Sequence, residues 1–260
     1  DYGNLYLTLS RQQYWHTDDV ERLMQFGYSS SWKRLSWNVS WSYSNTARQG
    51  TGNNNASDNT SEQIYMLSLS VPLSGWWGNS YATYSVSQND NSGSSHQLGL
   101  SGTALERNNL SWNLMQSYNS HDDEVGGNMS LTYDGTYGTV NGSYNYSQNS
   151  QRLNYGIRGG ILAHSEGVTL SQELGETIAL VKAPGAAGLE IDNMRGAATD
   201  WRGYTVKTQL NPYDENRVAI SDNYFSKSNI ELDNTVVTMV PTRGAVVKAE
   251  FVTHVGYRVL

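Results

Sequence analysis

Five histidines, two acidic runs and a set of arginines near carboxylates are the residues of this chain whose types invite chemistry. His16, His96 and His121 fall in or beside expected loops, His164 at a strand end and His254 in the last strand. No two stand at the spacing of metal ligands, so each reads as a hydrated rim or lumen histidine. Asp18-Asp19 and Asp122-Asp123-Glu124 could hold calcium or bridge lipopolysaccharide through divalent ions. An ordered calcium site needs about six convergent oxygens, and hydrated loop tips account for these runs more simply. Asn89–Ser95 has the look of a calcium loop but lacks the closing bidentate acid. Asp200, Trp201 and Arg202, then Glu215, Asn216 and Arg217, with Arg243 further on, suit turns in which guanidinium groups pair with carboxylates and fix a rim. No nucleophile, base and orienting group stand at a plausible spacing, so no catalytic residue is assigned. The chain has no Gly-x-Ser-x-Gly elbow, Walker loop or Gly-x-Gly-x-x-Gly. Zero cysteine removes thiolate metal sites, disulfides and cysteine nucleophiles. No metal, cofactor or enzymatic activity is expected.

The elements that would position these residues follow from composition and period. Of 260 residues, 37% are hydrophobic and only 16% charged, with 18 Tyr and 8 Trp against 3 Phe, so the aromatic residues are mostly those with a polar edge. A net charge of −7 argues against nucleic acid as a partner, because little here would neutralise phosphates. No window reads as a membrane-spanning helix. The start, Asp1-Tyr2-Gly3, has no basic n-region or apolar h-region, which fits a leader already removed or a fragment.

The apolar residues recur with a period of two, the signature of strands with unlike faces. Leu35, Trp37, Val39, Trp41 and Tyr43 alternate with Ser36, Asn38, Ser40, Ser42 and Ser44. Leu5, Leu7 and Leu9 repeat the pattern, as do Tyr65, Leu67, Leu69 and Val71, and Leu110, Trp112 and Leu114. About ten such candidates of roughly 9–11 residues precede residue 165, long enough to cross a bilayer when tilted. Odd links (Asn45–Glu62, Asn89–Ser95, Asn119–Val125) are mostly long and polar, and even links (Lys33-Arg34, Glu106–Asn109, Asp134–Thr136) mostly short. The fourth, Leu73–Asn79, is longer and carries Trp76-Trp77, a pair suited to an aromatic girdle. The expected fold is all-β: an antiparallel transmembrane β-barrel meander, present as an open curved sheet of roughly 11–14 strands. Leu35, Trp37, Val39, Trp41 and Trp112 would face lipid, and the Ser/Asn face a wet lumen. A soluble sandwich or secreted adhesin shares the alternation, but would fill its apolar face with Val, Ile and Leu rather than Trp and Tyr.

The texture changes after residue 165. Residues 1–165 read as a regular pore-wall meander and 166–260 as last barrel strands with rim turns, ending in one long strand from Ala245 to Leu260. Three blocks here are Gly159-Gly160-Ile161-Leu162-Ala163-His164, Val181-Lys182-Ala183-Pro184-Gly185-Ala186 and Thr199-Asp200-Trp201-Arg202-Gly203-Tyr204. Pro212-Tyr213, Glu215-Asn216-Arg217-Val218 and Val240-Pro241-Thr242-Arg243-Gly244-Ala245 follow. In that order they resemble the fimbrial outer-membrane usher family, of the type 1 pilus kind. Asp1-Tyr2-Gly3, Leu5-Tyr6-Leu7 and Glu106–Ser111 match it more loosely.

The resemblance implies part of a pore of about 24 strands, set in a Gram-negative outer membrane. Through it chaperone-delivered pilus subunits would be secreted and polymerised, driven by donor-strand exchange. It implies as partners periplasmic chaperone–pilus subunit complexes, subunits in transit, outer-membrane lipid, and the full-length protein's plug and periplasmic domains. None of those other modules is recognisable here. Asp200, Trp201, Arg202, Glu215, Arg217 and Arg243 would then be contacted by the plug or C-terminal domains during gating, or would serve the rim as structural turns. Half a barrel has two unpaired edges, expected at Asp1–Tyr14 and Val246–Leu260, so this stretch should not insert by itself. A general porin or transporter barrel remains the alternative, for which constriction-lining charge ladders or a TonB-type box would speak; neither is evident.

Overall fold

The computed structural model describes residues 2–13, 20–48, 58–74, 78–221 and 230–255, and its regular elements are all strands. The first ten are β1 (Asn4–Gln13), β2 (Val20–Trp32), β3 (Leu35–Arg48), β4 (Asp58–Pro72) and β5 (Asn79–Asn89), then β6 (Gly93–Ala104), β7 (Leu110–Asn119), β8 (Glu124–Gly135), β9 (Gly138–Ser147) and β10 (Ser150–Arg158). They hydrogen-bond in chain order in one ten-stranded sheet, open at β1 and β10. Backbone packing divides the chain into two compact units. One holds the residues up to Gly102 with Trp112–Met129 and Tyr144–Leu153. The other holds Thr103–Ser111, Ser130–Ser143 and the chain from Asn154 onwards.

In the first unit the register lines up the alternation read from the sequence. Leu7 pairs with Phe26, Phe26 with Trp41, and Trp41 with Tyr65; Leu5 pairs with Tyr28, Tyr28 with Val39, Val39 with Leu67 and Leu67 with Val86. Directly opposed residues of an antiparallel pair share a face, so these rungs form one apolar surface. Leu35, Trp37, Val39 and Trp41 all lie on it, and Trp112 shares a face of β7 with Leu110 and Leu114. Leu5, Leu7 and Leu9 are 60–66% exposed there, so the face is not the inside of a core. The opposite face carries rungs such as Asn4–Ser29–Asn38–Ser68–Ser85. These line a concavity of about 880 Å³ with Ser36, Ser70 and Thr83. On that face the Tyr6 ring covers Gly27, where even a methyl group would lie 2.2 Å from the ring.

The links are tighter than the sequence implied. Asn89–Ser95 and Asn119–Val125, expected as polar loops, are largely taken up by strand ends. Their turns are closed by asparagine side chains, Asn89 Oδ1 accepting from Asn91 N at 2.9 Å and Asn119 Oδ1 from His121 N at 2.9 Å. Asparagine mimics a backbone turn in this way, so its abundance signalled short hairpins rather than long loops. Trp76-Trp77, His16, Asp18-Asp19 and most of the third link lie outside the described residues.

The second unit departs further from expectation. β11 (Gly160–His164) and β12 (Gly167–Ser171) form a hairpin. β13 (Ile178–Lys182) lies between antiparallel β14 (Tyr204–Lys207) and parallel β18 (Val246–Glu250). β15 (Asn216–Ala219) pairs with β17 (Val236–Met239), and β16 (Ile230–Leu232) with β19 (Thr253–Val255). The long strand expected from Ala245 to Leu260 is therefore two short strands within the described residues, broken at Phe251-Val252, and no strand after β10 joins the ten-stranded sheet. The reason is burial. Ala179 and Val181 pack with Leu189, Val218 and Phe251, while Ile178 and Leu180 on the other face pack with Tyr204 and Val206 against Leu162. β13 is covered on both sides, which suits an interior strand, not a two-faced wall strand. Val181 and Phe251 are fully buried, each such side chain contributing about 1.5–3 kcal/mol.

Candidate functional site

Among the described residues, the densest charged groupings lie in the second unit, in three places. The first is the turn Asp200–Tyr204, leading into β14. Asp200 is buried, and its carboxylate accepts from Arg202 N at 2.9 Å and Tyr204 N at 2.8 Å. Its other oxygen takes the Arg202 guanidinium at 3.2–3.3 Å. Backbone bonds from Asp200 N to Tyr204 O and from Gly203 N to Asp200 O close the loop. Arg202 then reaches the β11–β12 hairpin, donating to the Val168 carbonyl, and lies 5.3 Å from the Tyr204 ring and 5.7 Å from that of Trp201. Trp201 is 79% exposed. The expected Arg–carboxylate turn is thus formed by Arg202 and Asp200.

The second place is the apex of the β11–β12 hairpin. Glu166 faces Lys182 of β13 at 2.8 Å and Lys248 of β18 at 3.7 Å, and it accepts from the Tyr204 hydroxyl. Glu250 closes the group against Lys182 at 3.3 Å and Lys248 at 3.5 Å. The His164 ring lies tilted, 5.2 Å from that of Tyr204; its Nδ1 accepts from Glu166 N, leaving Nε2 to donate to Thr169 at 3.0 Å. Sequence reading missed this network because its members come from the β11–β12 hairpin and from β13, β14 and β18, and follow no local pattern. Hydrogen bonds from Lys182 and Tyr204 hold the Glu166 carboxyl down at about 2, from an ordinary 4.5. Lys182 likewise holds the Glu250 carboxylate below its usual range, and hydrogen bonds to Glu166 and then Glu250 hold the Lys182 ammonium above its own. A depressed carboxyl stabilises the fold fully above its unfolded value and ceases to do so as pH falls through its folded one. The hairpin should therefore loosen between pH 4.5 and about 2. Hydrogen exchange at β11–β12 in the full-length protein reads this, and Glu166→Gln should leave the hairpin nearly as open at neutral pH as in acid. Unchanged protection on acidification would count against the network as the hairpin's anchor.

The third place is the strap 186–198, seated on the short turns after β6 and β8. Arg107 pairs with Glu190 at 2.8 Å and donates to Gly188 O at 3.3 Å. Arg195 donates to Ser111 Oγ at 3.1 Å, and Gln172 bridges Gly135 O and Arg195 O at 3.2 and 2.8 Å. Beside the strap lies a polar concavity of about 530 Å³ lined by Asp134, Thr139, Asn193, Arg195 and Lys207 among others. Burial holds the Lys207 ammonium below its ordinary range, and it donates to Arg217 O at 3.1 Å.

The remaining expected rim residues are looser. Glu215 and Arg217 are exposed and form no ion pair among the described residues; Arg243 approaches Glu176 only at 3.9 Å, both well exposed. Among the histidines, His96 bonds Tyr84 at 2.9 Å, His121 lies 3.9 Å from Asp122 and His254 3.0 Å from Asp233. Tyr118 binds Asp123 at 3.0 Å, and no acidic or histidine cluster among the described residues could hold a metal ion.

Comparison with known proteins gives one family throughout. A family model described as outer membrane usher protein matches residues 1–251. The probable outer membrane usher protein ElfC of Escherichia coli O157:H7 is 42% identical over 273 aligned residues, covering 100% of this chain and 30% of that protein. Outer membrane usher protein FimD of Salmonella typhimurium strain LT2 is 38% identical over 270, again covering 100% of this chain and 30% of the relative. The chain thus spans about 30% of the length of these relatives. Among solved structures, one cryo-EM structure covers 100% of this chain and 30% of its own at a TM-score of 0.68 and 20% identity. It is an E. coli P pilus tip assembly intermediate containing PapC, PapD, PapK and PapG, and it likens the fold alone.

Proposed function

The chain belongs to the outer membrane usher family, and from that membership we propose that it supplies part of an outer-membrane pore through which chaperone-delivered pilus subunits are secreted and assembled. The observation that carries the reading is the family match over residues 1–251, read with a ten-stranded sheet that is apolar on one face and hydroxyl-lined on the other. Asn4–Arg158 would be wall: Leu35, Trp37, Val39, Trp41 and Trp112 toward lipid, the Ser/Asn rungs toward a wet lumen. Serines and asparagines bind weakly and exchange readily with water, so a moving cargo would meet no trap. The unit around β13, with its own core, carries the expected rim residues. There Asp200, Trp201, Arg202, Glu215, Arg217 and Arg243 would meet the plug or the periplasmic domains. No covalent chemistry is proposed, and the drive would come from strand exchange between subunits.

Deleting the gene should abolish surface pili, and the wild-type gene should restore them; pili assembled normally without it would sink the reading. Charge reversal at Arg217, which has no carboxylate partner among the described residues, separates gating contact from structural turn. Arg217→Glu should leave heat-modifiable barrel migration intact and reduce pilus number several-fold if the residue meets another domain. Normal pili would leave Arg217 a surface charge.

A further inference from the structure

Arg11 of β1 and Arg22 of β2 stand directly opposite each other in the first unit. By parity they lie on the apolar face, in line with Leu7 and Leu9 on one strand and Met24 and Phe26 on the other. Both are exposed, and neither forms an ion pair among the described residues. Like charges opposed across a ladder repel, because their Cβ atoms stand only about 5 Å apart. Among the described residues no carboxylate relieves them. Glu21 and Glu62 pair with Gln12 and Ser44 on the opposite face. Asp90, whose N–H bonds Gln63 O at 3.2 Å, lies three strands from Arg22, about 14 Å away.

The rungs beside the arginines grade in polarity. Leu7–Phe26–Trp41–Tyr65 is apolar, Leu9–Met24–Tyr43–Gln63 is mixed, and Arg11–Arg22–Asn45–Ser61 is wholly polar. Trp41 Nε1 and the Tyr65 hydroxyl both donate to Gln63 Oε1 at 3.4 Å, so the polar edges of both rings turn toward the arginines. Aromatic rings take that pose where a membrane meets water. The arginine rung is one step of about 7 Å further out than Gln63, at headgroup depth. It lies at the strand ends nearest the first link, on the rim of the longer links, which in outer-membrane barrels faces the exterior. Two rungs the other way, about 14 Å along the strands, is an apolar groove of about 410 Å³ lined chiefly by Phe26, Val39, Trp41, Tyr65 and Leu67.

We propose that Arg11 and Arg22 clamp a phosphate on the headgroup of an outer-leaflet glycolipid, with an acyl chain of the same molecule in the groove. Each guanidinium presents a fork that matches phosphate oxygens, and one anion between them turns their repulsion into attraction. The proposal deepens the outer-membrane reading and rests on it for the side of the membrane.

The test titrates full-length usher, purified in detergent and stripped of lipid, with lipopolysaccharide, with dephosphorylated lipopolysaccharide and with phosphatidylglycerol. Arg11→Gln with Arg22→Gln should weaken lipopolysaccharide binding at least about tenfold, and the double lysine variant no more than about threefold. Either glutamine change alone should give an intermediate loss, and heat-modifiable migration checks that each variant still folds. Dephosphorylated lipid should bind weakly and be indifferent to the substitutions. Glutamine variants that bind intact lipopolysaccharide at wild-type strength would overturn the site, as would an equal loss with dephosphorylated lipid. Phosphatidylglycerol held as tightly, with the same dependence on the arginines, would overturn the glycolipid as occupant. Wild-type usher missing from the outer-membrane fraction would overturn the reading beneath the site, whatever the titrations give.

Discussion

Asp200→Ala should cost the turn Asp200–Tyr204 about 3 kcal/mol of local stability, because it strands a guanidinium and two backbone N–H groups at once. The carboxylate is 7% exposed and the Arg202 side chain 23%, so water replaces the lost partner poorly. The break should spread: without Asp200, Arg202 loses the clamp that aims it at the Val168 carbonyl, and the β11–β12 hairpin loses one of its ties. Asp200→Asn keeps an oxygen for Arg202 N and Tyr204 N and surrenders only the charge, so about 1–2 kcal/mol is expected. Hydrogen exchange in the full-length protein, read at Arg202–Tyr204 and at β12, measures both. An alanine variant as well protected as the wild type would mean that the backbone alone holds the turn.

Gly196→Ala should be comparably damaging for a different reason. Gly196 sits at φ 72, and an added Cβ would stand 1.9 Å from the Asp134 carbonyl oxygen. That oxygen belongs to β8 and cannot swing aside like a side-chain tip, so the strap must lift. Lifting would pull Arg195 from Ser111 and Gln172 from the Arg195 carbonyl. The left-handed conformation costs alanine about 1–2 kcal/mol and the overpacking about 1–3 more, for about 3 in all. Gly244 is the internal control: its φ is 75, but nothing lies within 4 Å of an added Cβ. Gly244→Ala should pay the backbone cost alone, about 1 kcal/mol. Proteolysis of the strap under native conditions separates the two. Equal nicking rates in both variants would show that the seat on the short turns is not what holds residues 186–198.

How far the site was legible follows from the range of each interaction. Asp200 and Arg202 are two residues apart, and their turn was readable because its partners are local. Glu166 lies in the β11–β12 turn, Lys182 on β13, and Lys248 and Glu250 on β18, and nothing in their neighbourhoods marks them as a group. Arg107 and Glu190 are likewise distant in the chain, and neither stood out in composition. Arg217 was expected to pair with a carboxylate on the strength of Glu215 nearby, but both are exposed and form no ion pair among the described residues.

By itself the sequence determined the ten-stranded meander. Period-two alternation sorts Leu, Trp and Tyr from Ser and Asn, and since one residue of slip would exchange the faces, the same pattern specifies register across β1 to β5. The usher resemblance also rested on contiguous blocks and needed no coordinates. Only the tertiary structure decided where the second half goes. The sequence around β13 and β18 is apolar whether the strands face lipid or an interior, so periodicity cannot tell the two apart. Partners brought from tens of residues away, Val218 and Phe251 on one face and Leu162 on the other, close over β13 and make it the centre of a separate core.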